Sequence, residues 1–382
     1  MAQGASVAIV GGGIAGLTAA LCFARKGIAT DIFEKTSALS EVGAGLQLSP
    51  NATRILFALG LERALEEVWN EPSSICLVDG SSLRTIASVP AGGFSRKRWD
   101  YPYGVLHRAD LQHVLLAAIR DEPLCRLHLG TLVDPSVPDE LAGVSGRQPR
   151  FVVGADGIRS NIRKTIQDAG TIQYSGFVAW RFTLEKGETP GLLDSAKVTA
   201  FLGRGAHVVT YPLAHQRFNI VAITQASEPD TPHDMPGSAK RQQMLDAFSG
   251  WHDDVRTMMG GAAPTFWPLY EMRTGGWADD DRAVLIGDAA HAMLPFAAQG
   301  AAMAIEDAFE LAAFTARGET LSAFANHRIH RIARVRSRGS FNRFVYHASG
   351  PVRLGRDLLL SMRSPKKLAA DLDWLYGYRP RD

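Results

Sequence analysis

Apolar positions along the chain follow two different patterns. Ser6–Val10 is a short, nearly unbroken apolar run, followed by a glycine-rich break and an Ala/Leu-rich stretch that reaches about Lys26. The run has the length of a buried strand and the stretch that of a helix, which Gly27 then stops. Thr30–Phe33 repeats the short apolar run and ends on the acid Glu34. Strand, helix and strand in this order predict a βαβ unit. Next, Gly43–Leu48 reads as a glycine-rich turn running into an extended piece. Ser49-Pro50-Asn51 reads as a helix start, with proline tolerated in the first turn. His107–Arg120 places Leu111, Val114, Leu115 and Ala118 on one stripe and predicts a helix. Residues 126–150, rich in Pro, Gly and Asp, read as irregular, and Phe151–Val153 as the next buried strand.

From about Gln173 to Ala226 the pattern changes to strands: YSGFVAWRFTLE, KVTAFLG, AHVVTYPL and RFNIVAITQ, separated by Gly, Pro and charged turns. This predicts an antiparallel sheet inserted between dinucleotide-binding halves. Arg282–Ile286 is again a buried strand, followed by Gly287-Asp288 and a small-residue helix over Gly300–Thr315. Leu321–Leu375 reads as helical and basic. Its Arg328, Arg331, Arg334, Arg336 and Arg338 are expected on a solvated face. The fold class expected is α/β, with a Rossmann-type domain, an interleaved antiparallel-sheet domain and a helical C-terminus.

Composition narrows the picture by exclusion. The 382 residues suffice for one large core or two interleaved domains, and a formal net charge of +2 gives no large field for nucleic acid or an anionic membrane. No run of 18 apolar residues occurs, so no spanning helix is expected. Cys22, Cys76 and Cys125 are scattered and form no C-x-x-C pair, the usage of a reducing cytosol. With the first strand so near residue 1, no cleavable signal is expected, and the localisation read is cytoplasmic. The eleven histidines show no metal-ligand spacing, so no metal is expected.

Three motifs carry chemistry. Gly11-Gly12-Gly13-Ile14-Ala15-Gly16 satisfies G-x-G-x-x-G between a strand and a helix. Gly11 permits the tight turn, Gly13 lets backbone approach a pyrophosphate, and Gly16 lets helix and strand pack closely. Amides at the helix start face phosphate charge. Glu34 lies where a carboxylate accepts from ribose hydroxyls, and it argues against a 2′-phosphate there. The second motif is Gly154-Ala155-Asp156-Gly157, with Ser160 and Arg163 further along. The third is Gly287-Asp288-Ala289-Ala290-His291, with Pro295 and then Gln299-Gly300 before a helix. Here Asp288 is placed to hold sugar hydroxyls, while the loop and helix start supply amides. No second G-x-G-x-x-G exists for a nicotinamide donor.

The three motifs in this order resemble a class A FAD-dependent aromatic hydroxylase, the group of salicylate hydroxylase, 3-hydroxybenzoate 6-hydroxylase and 6-hydroxynicotinate 3-monooxygenase. The likeness covers nearly the whole chain. It runs through VAIVGGGIAGL, EVGAGLQLSPNA, HRADL, GADGIRSNIR, GFVAWR, GDAAHAMLPFAAQGAAMAIEDA and YHASGPVRLGRD, and departs at Ala292, where the family usually has proline. It implies an FAD-binding domain over 1–72, 104–172 and 277–325, a substrate domain over 73–103 and 173–276, and C-terminal helices over 326–382. It further implies that Gly11, Gly13, Ile14, Ala15, Gly16, Glu34 and Lys35 hold the ADP half of FAD and that Arg108 reaches the ribityl–phosphate region. By the same resemblance Asp288 binds the ribityl or pyrophosphate side. Asp156 serves FAD and a transient NAD(P)H, with NADH favoured. The Gly43–Leu46 loop, with Gly45 and Leu46, and the Pro295–Gly300 loop, with Ala301 after it, flank the isoalloxazine.

The activity so implied is hydroxylation of a phenolic or hydroxypyridine aromatic acid through a flavin C4a-hydroperoxide, using NAD(P)H and O2. Such chemistry wants a base near neutrality, and His is the usual choice. On a strand, residues 207, 209 and 211 share a face, with His207 and Tyr211 about 13 Å apart. The pair matches the His and Tyr that the subgroup places near the substrate hydroxyl. Gln299 is a further candidate for holding substrate or flavin oxygen, and His291 reads as structural. Arg181, Arg204 and Arg217 are the candidates for a substrate carboxylate. The chain is expected to act as a monomer or homodimer, with no nucleic-acid or membrane partner. The competing readings are a flavin-dependent reductase, dehydrogenase or epoxidase on another hydrophobic substrate, and a non-catalytic FAD-binding sensor.

Overall fold

The computed structural model describes residues 6–39, 45–134, 139–185, 191–228, 237–260, 264–279 and 282–382. Its strands, in chain order, are β1 (Ser6–Val10), β2 (Thr30–Glu34), β3 (Gly45–Leu48), β4 (Ser74–Asp79), β5 (Thr85–Pro90), β6 (Gly104–His107), β7 (Cys125–Leu129), β8 (Pro149–Gly154), β9 (Ile172–Glu185), β10 (Lys197–Gly203), β11 (Ala206–Leu213), β12 (Arg217–Gln225), β13 (Thr265–Met272), β14 (Ala278–Asp279) and β15 (Ala283–Leu285). They build a six-stranded sheet in the order β14-β15-β8-β1-β2-β7, a seven-stranded sheet in the order β13-β9-β12-β11-β10-β4-β5, and the small pair β3-β6.

In the first sheet β15, β8, β1, β2 and β7 run parallel, and β14 closes the edge antiparallel. All five residues of β1 and of β2 are buried, the condition under which parallel strands read as continuous apolar runs. The Ile14–Arg25 helix packs directly on the Gly300–Ala316 helix, and both are rich in alanine at the buried positions. Helix Pro50–Ala58 starts with proline in its first turn, as read from the sequence. The stretch 126–150, expected to be irregular, contributes β7 to the sheet edge. The strand Cys125–Leu129 mixes half-buried and exposed residues and holds no fully buried one, so no apolar run advertised it.

The second sheet corrects a simpler expectation. Its four predicted strands pair antiparallel, but β4 enters from the earlier segment and runs parallel to β10. Strand alternation gives the sheet two distinct faces. Trp180, Val208, Ile220 and Ala222 point into a core with Met244, Met258 and Met259 from the Gly237–Ala247 and Asp253–Gly260 helices and Phe248 just after the first of them. The other parity holds Arg181 on β9, His207, Val209 and Tyr211 on β11, and Asn219, Val221 and Ile223 on β12. Register pairs Tyr211 with Asn219, Val209 with Val221, His207 with Ile223, and Val221 with Arg181.

The basic helix Leu321–Tyr346 also differs from expectation. Arg328 is 0% exposed and Arg331 9%, because the Gly300–Ala316 helix offers them three fully buried acids. Arg328 Nε lies 2.7 Å from Asp307 Oδ1, its Nη1 3.0 Å from Glu310 Oε2 and its Nη2 3.0 Å from Glu306 Oε2. Arg331 forks onto both oxygens of Glu306 at 3.1 and 2.8 Å. Burial alone would raise the Asp307 carboxyl, but His291 and Arg328 beside it outweigh burial and hold it at about 2. A buried charge that loses its partner costs several kcal/mol, so Arg328→Met should lower unfolding free energy by about 3–5 kcal/mol in urea titrations. Because Asp307 titrates lower folded than its ordinary 3.8, it stabilises above that pH. Wild-type stability should therefore fall as pH drops from about 4 towards 2, and less so in Asp307→Asn.

Candidate active site

The glycine turn sits at the carboxyl end of β1. Gly11 has φ +112°, and a Cβ there would meet the Ala155 carbonyl oxygen at 2.4 Å. A Cβ on Gly16 would lie 1.9 Å from the Gly11 oxygen. Gly13 is different, since a Cβ there would meet nothing within 4 Å. Two of the three glycines are thus required by the fold itself, and the third faces open space at the helix N-terminus. Glu34 braces the turn: its Oε2 accepts from Gly12 N at 2.8 Å and its Oε1 from Thr36 N and Oγ1 at 2.9 Å. Lys35 beside it is exposed.

A cavity of about 260 Å³ lies between this turn and the inner face of the second sheet. Gly13, Ile14, Ala15, Gly45, Leu46, Arg108, Asp288, Pro295, Gly300 and Ala301 line it, and so do His207 and Tyr211 from β11. The structure therefore brings together most of the residues singled out in the sequence, although they come from six separate stretches. Gly43 and Ala44 of the expected loop lie outside the described residues. Asp288 begins the short helix Asp288–His291 and is exposed, whereas His291 turns inward to Asp307 at 2.6 Å, the structural role read for it. Arg163 ties the second and third motifs together by donating to the Ala289 and Ile158 carbonyls at 3.1 and 2.6 Å. Ala292, in place of proline, accepts from Met272 N at 2.8 Å and so anchors its loop to β13.

Two candidates point elsewhere. Gln299 is buried, with Nε2 donating to Ser49 Oγ at 3.0 Å and Oε1 accepting from Asn51 Nδ2 at 3.3 Å. Its amide belongs to a network that continues through Asn51 to Glu306, and it does not line the cavity. Asp156 does not line it either. Its Oδ2 caps the following turn by accepting from Asn161 N at 2.7 Å, while Oδ1 is buried without a partner.

The cavity's polar groups face it from both sheets. Gly45 N donates to Asn219 Oδ1 at 2.7 Å, and a Cβ on Gly45 would come within 2.6 Å of the Tyr211 hydroxyl and of Asn219 Cγ. Glycine is needed there because β3 must press against β11 and β12. Arg181 Nε is buried without a hydrogen-bond partner, in a wall that otherwise offers apolar Val209, Val221 and Ile223. An orphaned buried donor calls for a ligand. Burial lowers the Arg181 pKa, with Tyr211 and Asp288 opposing and Arg108 adding to the shift. Of the three arginines considered for a carboxylate, Arg181 alone lines the cavity. Arg204 is exposed, and Arg217 donates to the Ala214 carbonyl at 3.4 Å.

His207 is 1% exposed, and its Nδ1 lies 2.9 Å from Nε2 of His347, a residue that sequence reasoning missed. Phe296 and Tyr346 pack on its ring at centroid distances of 5.2 Å. Burial, and then the neighbouring His347, push His207 well below its ordinary 6.5. Sequence reasoning wanted a base near neutrality here; in this setting burial disfavours the protonated imidazole.

Residues 4–320 match the family described as FAD binding domain, and the chain belongs to that family. It is 33% identical to 3-amino-4-hydroxybenzoate 2-monooxygenase PtnB3 of Streptomyces platensis over 97% of this chain and 96% of the relative. It is also 33% identical to 3-hydroxybenzoate 6-hydroxylase 1 of Aquipseudomonas alcaligenes, with 97% of each covered. Among solved structures, Klebsiella pneumoniae HpxO complexed with FAD and uric acid superposes with a TM-score of 0.78 at 20% identity, over 96% and 95% of the two chains. A salicylate hydroxylase substrate complex gives 0.76 at 23% identity, over 99% and 96%. These two share the fold. The chain is an FAD-dependent monooxygenase of the aromatic hydroxylase class.

Gly13 gives a clean test, because a Cβ added there meets nothing within 4 Å. Gly13→Val should keep a wild-type melting midpoint as apoprotein yet lose FAD at least about tenfold more readily on dilution, read from visible absorbance. Full flavin retention would remove this turn from the cofactor site.

Proposed function

We propose that this chain hydroxylates a phenolic or hydroxypyridine aromatic acid, with NADH as donor and dioxygen as oxidant. The observation that carries the reading is the inner face of the second sheet. It sets His207, Val209, Tyr211 and Arg181 along one wall of the cavity, opposite the glycine turn and Asp288. When bound, FAD supplies the electron transfer and dioxygen activation that no side chain supplies. Gly13, Ile14, Ala15 and the Gly300 helix start would hold its phosphates and ring edge, with Asp288, Arg108 and Glu34 on its sugars. The open space at Gly13, on the helix N-terminus, fits such a group.

The chain's own residues then have four tasks. Tyr211 donates its hydroxyl hydrogen bond to the substrate's phenolic oxygen. His207 accepts the phenolic proton at Nε2, since Nδ1 is turned to His347. Arg181 pairs with the carboxylate and fixes which ring carbon faces the cofactor. Val209, Val221 and Ile223 exclude water, so that reducing equivalents go to product rather than to peroxide. The three free cysteines suit a reducing cytosol, and the chain acts there as a monomer or homodimer. Among the described residues no helix is long and apolar enough to cross a membrane.

A panel of hydroxybenzoates and hydroxypyridine carboxylates tests the reading directly. At least one should stimulate NADH oxidation and yield a product one oxygen heavier. With that substrate, His207→Ala should slow hydroxylation by roughly 10²–10⁴-fold and divert NADH into hydrogen peroxide. Coupling should return in part at high pH, where the phenol ionises unaided. Because burial keeps His207 neutral, the wild-type acid limb should lie well below pH 6.5. Full coupling in His207→Ala at neutral pH would place the base elsewhere.

A further inference from the structure

A buried base must dispose of the proton it accepts. His207 lies on the cavity wall with no room to hold charge cheaply, since burial disfavours its protonated form. Its Nδ1 meets Nε2 of His347 at 2.9 Å. Two imidazole nitrogens at that distance share one proton, so one ring donates and the other accepts. His347 closes the Leu321–Tyr346 helix and is only half-buried, so the pair leads from the cavity towards the surface.

The surroundings of the pair suit passage rather than storage. Phe177 and Phe296 flank His347 at centroid distances of 5.5 and 5.4 Å, forming an apolar sleeve. Tyr346 stands edge-on to His207, and the neighbouring strands present Leu202 and Ile223. Arg343, one turn back on the helix, acts on the outer ring, while Arg356 donates to the Val345 carbonyl at 2.9 Å and Arg338 acts on Tyr346. Burial and then Arg343 push His347 down to about 4. A guanidinium beside the outer ring repels a resident proton and favours its release.

Resting on the function proposed above, we propose that His347 is a relay and positioning residue that carries the substrate's phenolic proton from His207 to solvent. The step balances without net charge on either ring. The phenol loses a proton to His207 Nε2, His207 Nδ1–H passes to His347 Nε2, and His347 Nδ1–H passes to water. Both rings end neutral with their tautomers inverted.

The test uses FAD-loaded enzyme, anaerobic, mixed with 3-hydroxybenzoate or 6-hydroxynicotinate in weak buffer while an indicator dye follows proton release. Wild type should release the proton quickly at pH 7. His347→Gln keeps an acceptor for His207 Nδ1–H but cannot relay, and His347→Phe does neither. Both should keep FAD content yet release the proton about 10–100-fold more slowly, a defect that shrinks as pH approaches the phenol's own ionisation. Added imidazole should restore the rate in His347→Gly. A Gln variant that matches wild type across pH would show that His347 only orients His207, and the relay would be wrong. Variants equal to wild type, in an enzyme whose wild type hydroxylates the probe, would overturn the relay alone. A wild type that neither releases a proton nor oxidises NADH faster with these probes or any other acid of the panel would overturn the proposed function, and the relay with it.

Discussion

The buried cluster of Glu306, Asp307, Glu310, Arg328 and Arg331 is the constraint on which the site depends. One helix brings three carboxylates into the interior and the next brings two guanidiniums to meet them. The cluster's outer bonds reach the loops that line the cavity. Asp307 accepts from Gly287 N at 2.9 Å and binds His291, which fixes the turn that presents Asp288. Glu306 accepts from Asn51 Nδ2 at 2.7 Å, and Asn51 in turn holds Gln299 at the start of the Gly300 helix. Such networks are stable when every member is satisfied and costly when one is removed. Here the satisfaction of buried charge and the placement of the two loops are the same set of hydrogen bonds.

The second constraint is strand parity. Because side chains alternate, the seven-stranded sheet can bury Trp180 and Val208 in its own core and still present Arg181, His207 and Tyr211 to the other side. The cavity then has the glycine turn on one wall and Arg181, His207, Val209 and Tyr211 on the other. Gly45, which has no room for a Cβ beside Tyr211, is where the two walls are drawn together.

Much of this was legible in the chain. The first βαβ unit, the four strands of 173–226 and the Gly300 helix follow from apolar periodicity and glycine placement. The shared face of His207 and Tyr211 follows from the period of a strand. What escaped is non-local. Arg328 and Arg331 look like solvated residues until the acids of a neighbouring helix are placed against them. Gln299 looks like a ligand contact until Ser49 and Asn51, some 250 residues away in sequence, are seen to bind it. The His207–His347 bond spans 140 residues with no spacing to betray it. β7 pairs with β2 at the sheet edge without an apolar run of its own.

The central claim is that the cavity between the glycine turn and β11 is where an oxygen atom from dioxygen enters an aromatic acid. Turnover under isotopically labelled dioxygen, with NADH and the stimulating hydroxy acid, tests it most directly by mass analysis of the product. The account predicts one labelled oxygen on the ring of each product molecule, and no label when only the water is enriched. Product whose new oxygen comes from water, or NADH oxidation that yields only hydrogen peroxide with every acid tried, would contradict it.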